Sequence, residues 1–183
     1  MANNNAENVH LGVCKVLFDG EDLGFTKGGV DVTVATETHE VQVDQFGQTP
    51  INEFIMGRTV TATVPLAETT LENLVKIMPG ATLVKDGANA ARVDVPTGVG
   101  VSLLDFAKEL IFHPVALPDS DKSEDFIIPL AATAGAMEYS FKLEDERIYN
   151  CEFKGYPSEG VLFSVGDPLA TESSGGSGSG TDN

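Results

Sequence analysis

Gly57-Arg58-Thr59-Val60-Thr61-Ala62-Thr63-Val64 is the most telling stretch of this sequence. It is crowded with β-branched side chains, which are stiff about χ1 and suit a pleated surface. Thr59, Thr61 and Thr63 fall on one face, and Val60, Ala62 and Val64 on the other. A period of two belongs to a strand and not to a helix. The strand reads from residue 53 to residue 66.

Upstream, residues 30–44 alternate as well, but with a fault. Val30, Val32 and Val34 are apolar at even positions, whereas Val41 and Val43 are apolar at odd ones. The phase flips between Ala35 and Glu40. One face cannot stay buried across such a flip unless the strand kinks, bulges or turns. The pattern predicts one long strand that leaves one sheet and enters another. Between the two strands, Gln45, Phe46, Gly47, Gln48, Thr49, Pro50, Ile51 and Asn52 read as a hairpin loop. At roughly 8 residues it is longer than the common hairpin connections. Phe46 and Ile51 are apolar residues in an otherwise polar loop.

Downstream, Thr69 and Glu72 have capping-box spacing. Leu71, Leu74, Val75 and Met78 then form an i, i+3, i+4, i+7 stripe, and Pro79-Gly80 ends it. This predicts one helix lying on a sheet face. A shorter helix is predicted to start at Ser102, with Asp105 at its third position. Strand patterns occupy residues 9–18, 109–115, 126–133, 137–143, 148–154 and 161–165. Asp19-Gly20 and Glu144-Asp145-Glu146 supply turns. The fold class is therefore mainly β with one flanking α-helix.

The chain has 183 residues, enough for one domain, read as residues 9–168. Residues 1–8 are expected to be loosely held. Residues 169–183 read as a flexible tail, because Ser173-Ser174-Gly175-Gly176-Ser177-Gly178-Ser179-Gly180 carries no apolar side chain. The formal net charge is −17, from 28 acids against 11 bases. Duplex DNA binders carry the opposite sign, because Lys and Arg must replace phosphate counterions. Acidic membrane surfaces are equally poor partners. No secretory signal or spanning apolar run is visible, so a cytoplasm-like compartment is expected.

No constellation for catalysis, cofactor or metal stands out. His10, His39 and His113 lie far apart and have no ligand partner nearby in sequence. Cys14 and Cys151 read as buried thiols. Asp119-Ser120-Asp121-Lys122-Ser123-Glu124-Asp125 resembles the start of a calcium loop. Glu124 and Leu130, however, stand where such a loop needs Gly and Glu, so a solvated loop is the better reading. Nucleophile elbows, phosphate loops and dinucleotide fingerprints are missing. The sequence reads as a non-enzyme.

The succession is a long strand pair, then Gly57-Arg58-Thr59-Val60-Thr61-Ala62-Thr63-Val64-Pro65-Leu66-Ala67-Glu68, then the capped Thr70-Leu71-Glu72-Asn73-Leu74. It resembles the tail tube (major tail) proteins of tailed phages, whose fold is shared with type VI secretion tube proteins. The resemblance implies a β-sandwich or partial barrel that assembles as hexameric rings with a continuous inner β-barrel. It implies stacking of rings into a tube. It also implies contacts with tail tip or baseplate, terminator and sheath proteins, and a place in the virion tail after assembly in the host cytoplasm. Genomic DNA would pass without specific binding. Six subunits giving about 24 strands, ~4.8 Å apart and tilted ~40°, make a backbone circle roughly 48 Å across, wide enough for a duplex. On this reading Glu40, Gln42 and Asp44 are the candidate lumen-facing residues, and residues 45–52 are the candidate ring-to-ring contact. The alternative is a β-sandwich binding or decoration module of a virion, recognising carbohydrate or a host surface. Against it stand the lack of Trp and the presence of only 3 Tyr.

Overall fold

The computed structural model describes residues 12–135, 137 and 147–170. The predicted strand over 137–143, its following turn, residues 1–8 and most of the Gly/Ser tail lie outside the described residues, Met137 excepted.

Among the described residues the chain is mainly β with one α-helix. In order, the elements are β1 (Cys14–Phe18), β2 (Glu21–Asp22), β3 (Asp31–Gln42), β4 (Pro50–Leu66) and α1 (Leu71–Ile77). There follow β5 (Thr82–Asp86), β6 (Asn89–Asp94), β7 (Lys108–Pro114), β8 (Phe126–Thr133), β9 (Tyr149–Tyr156) and β10 (Ser164–Val165). The short helix predicted after Ser102 is a single 3-10 turn, Leu103–Phe106. The hairpin of β5 and β6 went unpredicted, although Asp86-Gly87 is a turn signal and Leu83 and Val93 are cross-strand partners. It lies beside α1.

One antiparallel sheet runs in the order β2-β1-β7-β8-β9-β4-β3, with β10 on a side of β8. With β5 and β6 a separate two-stranded sheet, the main sheet is continuous, and among the described residues it does not divide into the two packed sheets of a sandwich. The single sheet curls instead, and the partial barrel is the better description. Phe18 of β1 and Phe153 of β9 have ring centroids 5.2 Å apart. Three strand spacings separate those strands in the ladder, about 14 Å on a flat sheet. Curling brings the rings together. Among the described residues the barrel does not close, since β2 and β3 remain its two ends. The segment after β2 spans the opening: buried Leu23 lies on the core, and Thr26 bridges Leu66 of β4. Lys27 N–H donates to the Pro65 carbonyl at 3.0 Å, and Ala67 N–H donates to that of Phe25 at 2.7 Å.

The alternation of the opening octet holds. Val60, Ala62, Val64 and Leu66 are fully buried, whereas Thr59 and Thr63 are exposed. On β9, Tyr149, Cys151, Phe153 and Gly155 face inward and Asn150, Glu152 and Lys154 outward. Only glycine fits at 155, because a Cβ there would lie 2.3 Å from Val60 Cγ1 and 2.9 Å from Ile128 Cγ2. Both neighbours are β-branched and cannot swing aside cheaply.

The helix starts one residue later than the sequence suggests. Thr70, not Thr69, is its N-cap, and its hydroxyl accepts from Asn73 N–H at 3.2 Å. Asn73 and Ile77 are its buried residues, while Leu71, Leu74, Val75 and Met78 are half-buried. The reason is polar. Asn73 Nδ2 donates to the Leu23 carbonyl at 3.0 Å and to the Glu68 carbonyl at 3.1 Å. These carbonyls belong to the crossing segments beneath the helix, and buried carbonyls need donors.

Candidate assembly surface

β3 pairs with β4 along its whole length, from Asp31↔Thr63 to Gln42↔Pro50. β9 pairs with β4 only from Thr61 to Leu66. Beyond that point the hairpin leaves the body as a two-stranded arm. At ~3.3 Å per residue, the stretch from Thr33 to Gln42 makes an arm about 30 Å long. From Thr33 to Glu40 every residue is exposed, and so is every residue from Pro50 to Thr59 except half-buried Gly57. Among the described residues, neither outer edge of the arm has a strand beside it.

The predicted phase flip has a physical counterpart. The register slips between Glu37 and Thr38, which leaves Met56 of β4 without a partner, and slips again between Val41 and Gln42 at Ile51. Directly opposed residues share a face. Before the first bulge, Val32 and Val34 share the core-side face with Ala62 and Val60. Beyond it, the same face of β3 carries Thr38, Glu40 and Gln42, and the opposite face pairs His39 with Phe54. Contrary to the sequence expectation, the strand does not enter a second sheet among the described residues. Its outer half pairs with β4 alone.

The sequence-derived site residues fall on this arm, with two corrections. Glu40 and Gln42 share one face, opposite Glu53 and Pro50. Asp44 is not on the strand. It opens a 3-10 turn, Asp44–Phe46, and its carbonyl accepts from Gly47 N–H at 3.3 Å. The connection is also shorter than predicted. Residues 43–49 form it, so it both starts and ends earlier than predicted, and Thr49 N–H closes it by donating to the Phe46 carbonyl at 3.2 Å. Pro50, Ile51 and Asn52 belong to β4. Proline is tolerated there because it is the first residue of a strand with a free edge.

Two features escaped the sequence reading. Phe54, Ile55 and Met56 are all more than half exposed, and they join Phe46 and Ile51, the two apolar residues already singled out in the sequence. The run Phe54-Ile55-Met56 inside a strand was the available signal. Glu40 also lies directly across from Glu53, a like-charge pair that destabilises an isolated ladder.

Several titratable groups elsewhere have structural partners. His113, on β7, is buried, and its Nδ1 lies 2.6 Å from Oδ1 of buried Asp125. The acidic stretch does not converge on one point. Lys15 takes Asp119 at 2.6 Å and holds its carboxyl below the usual range. Asp121 accepts from Ser123 N–H at 3.1 Å, and Asp125 turns inward. The described residues hold no group of three or more His, Cys, Asp or Glu arranged for a metal. Burial pushes the Cys151 thiol up to about 12 and raises that of half-buried Cys14 as well. No helix among the described residues is long and apolar enough to cross a membrane.

No protein-family model matches the chain, and no curated protein matches it. Among solved structures, a chain from the virion of a native gene transfer agent particle aligns with a TM-score of 0.41 and 12% identity. The alignment covers 88% of this chain and 99% of that one. A likeness this loose assigns no family.

Proposed function

We propose that this chain is a structural subunit of a phage-like virion, a tail tube protein that forms stacked hexameric rings around a DNA channel, and that it is not an enzyme. The observation that carries the reading is the arm. A two-stranded ribbon with both edges open and five large apolar side chains exposed is an aggregation hazard in a monomer. It becomes an asset when the next copy covers it. The body has a complete core of its own, so the arm is spare for a partner. Among the described residues, only β4 and β3 are free in the arm to join a neighbour, two strands per copy and not the four that the resemblance implies, because β9 leaves β4 at Thr61 and β8 is already paired with β7 on its other side.

Glu40 and Gln42 are proposed to line the channel. Past the first bulge their face is fully exposed, and a bulge increases local twist, which turns this face away from the body. Asp44 and the turn through Thr49 stand at the tip and are proposed to meet the next ring. The net charge of −17 keeps phosphate from adhering to the wall.

Negative-stain microscopy and light scattering of the purified protein over a range of concentration and salt test this. Six-fold rings or tubes are expected. A strictly monomeric species under every condition sinks the reading and leaves the decoration module in front.

A further inference from the structure

The arm carries an unresolved charge problem. Glu40 and Glu53 face each other across the ladder, and along that face of the ladder no base adjoins them among the described residues. Arg58 lies on the same face, opposite Thr36, and makes no ion pair among the described residues. Within one copy the two cannot meet. Glu40 is four residues along β3 from Thr36, about 13 Å at the strand rise, beyond the span of an arginine–glutamate contact.

Resting on the assembly reading above, we propose that Arg58 of one copy seats against the Glu40–Glu53 pair of the next and sets the register between neighbouring arms. The occupant of this surface is a second copy, for three reasons. First, the free edge of β4 and the free edge of β3 are complementary. Copies related by rotation place β3 of one antiparallel to β4 of another, as within the hairpin. Second, a tilt of ~40° offsets each strand by about 4 Å from the one before, so β3 of the next copy lies about two residues out of register with β3 of the first. One sense of that stagger brings Thr38 of the next copy opposite Arg58, with Glu40 on the diagonal, within reach of long side chains. The other sense puts Val34 there and leaves every charge unmatched. Third, the fork of an arginine suits two carboxylates better than a point-charge lysine does. The clasp leaves that face with one more carboxylate than guanidinium per copy, so the channel stays acidic.

The test is a mixing experiment on the full chain. Arg58→Glu alone and Glu40→Lys with Glu53→Lys alone should each raise the concentration needed for assembly about tenfold or more, the scale of close interfacial charge pairs. Mixed in equal amounts they should co-assemble, because alternating copies restore an acid–base contact at every joint. A contact within one copy would not be rescued by mixing. Arg58→Gln, which keeps a neutral side chain of similar shape, should assemble more weakly than the native chain and with less dependence on salt. Thermal melts of each variant show whether it folds. The proposal is overturned if folded charge-reversed variants assemble like the native chain, or if their mixture stays unassembled while the native chain forms rings. If the native chain itself never assembles, the functional reading fails first and the clasp with it.

Discussion

β4 is one strand in two environments. From Val60 to Leu66 its inward side chains are fully buried between β9, β3 and the helix layer. From Pro50 to Thr59 side chains just as apolar stand in solvent. Intrinsic strand preference does not separate the halves, since both pair with β3. The difference is what lies across the face: a curled sheet for one, and none of the described residues for the other. Hydrophobic burial stabilises the body intramolecularly, at about 25 cal/mol per Å². The arm withholds the same term until a second molecule supplies the cover.

The contrast is broken most directly by truncating one phenylalanine in each region. Phe153→Ala should cost about 4 kcal/mol in a urea melt, the usual scale for a buried aromatic, because it also strips Phe18 of its ring partner. Phe54→Ser should change the stability of the monomer by no more than about 0.5 kcal/mol and still abolish rings. A large loss of monomer stability from Phe54→Ser would mean that the arm packs on the body after all.

Charges sharpen the comparison next. Asp125→Ala leaves His113 buried beside an empty acceptor site, and should cost about 3 kcal/mol by denaturant unfolding. Asp125→Asn should recover part of that through a neutral hydrogen bond. Glu37→Ala on the arm should be almost silent in the same measurement, since its side chain is solvated. Equal effects at the two sites would erase the distinction.

The smallest effect is chemical. Cys14 should be alkylated first at mildly alkaline pH, and Cys151 only on unfolding, as read by mass spectrometry. The Cys151 thiol is raised from 9.0 to about 12 by burial. The folded state therefore holds its proton where the unfolded chain has lost it. This contribution to stability is intact below about pH 9 and is lost as pH climbs toward about 12. Alkylation of Cys151 in the folded protein at neutral pH would show the body to be more open than its packing implies.

Much of this molecule is written in local pattern. The faces of residues 59–64, the helix, the strand at Phe126–Thr133 and the bulged region between Ala35 and Glu40 follow from periodicity and punctuation, because side-chain direction alternates with backbone geometry. The charge excess and the missing catalytic motifs are composition, and need no coordinates. Other features depend on which segments meet. Asn73 looks like an ordinary polar helix residue until the Leu23 and Glu68 carbonyls are found beneath it. Asp125 looks like one more acid in a solvated loop until His113 receives it in the core. Pro50, Ile51 and Asn52 carry loop signals, yet a free edge and a tight 3-10 closure let them be strand. The curl that joins Phe18 to Phe153 and the opposition of Glu40 to Glu53 are products of register and long-range pairing. Those are set by the summed burial of the whole sheet, a quantity that no short window of sequence contains.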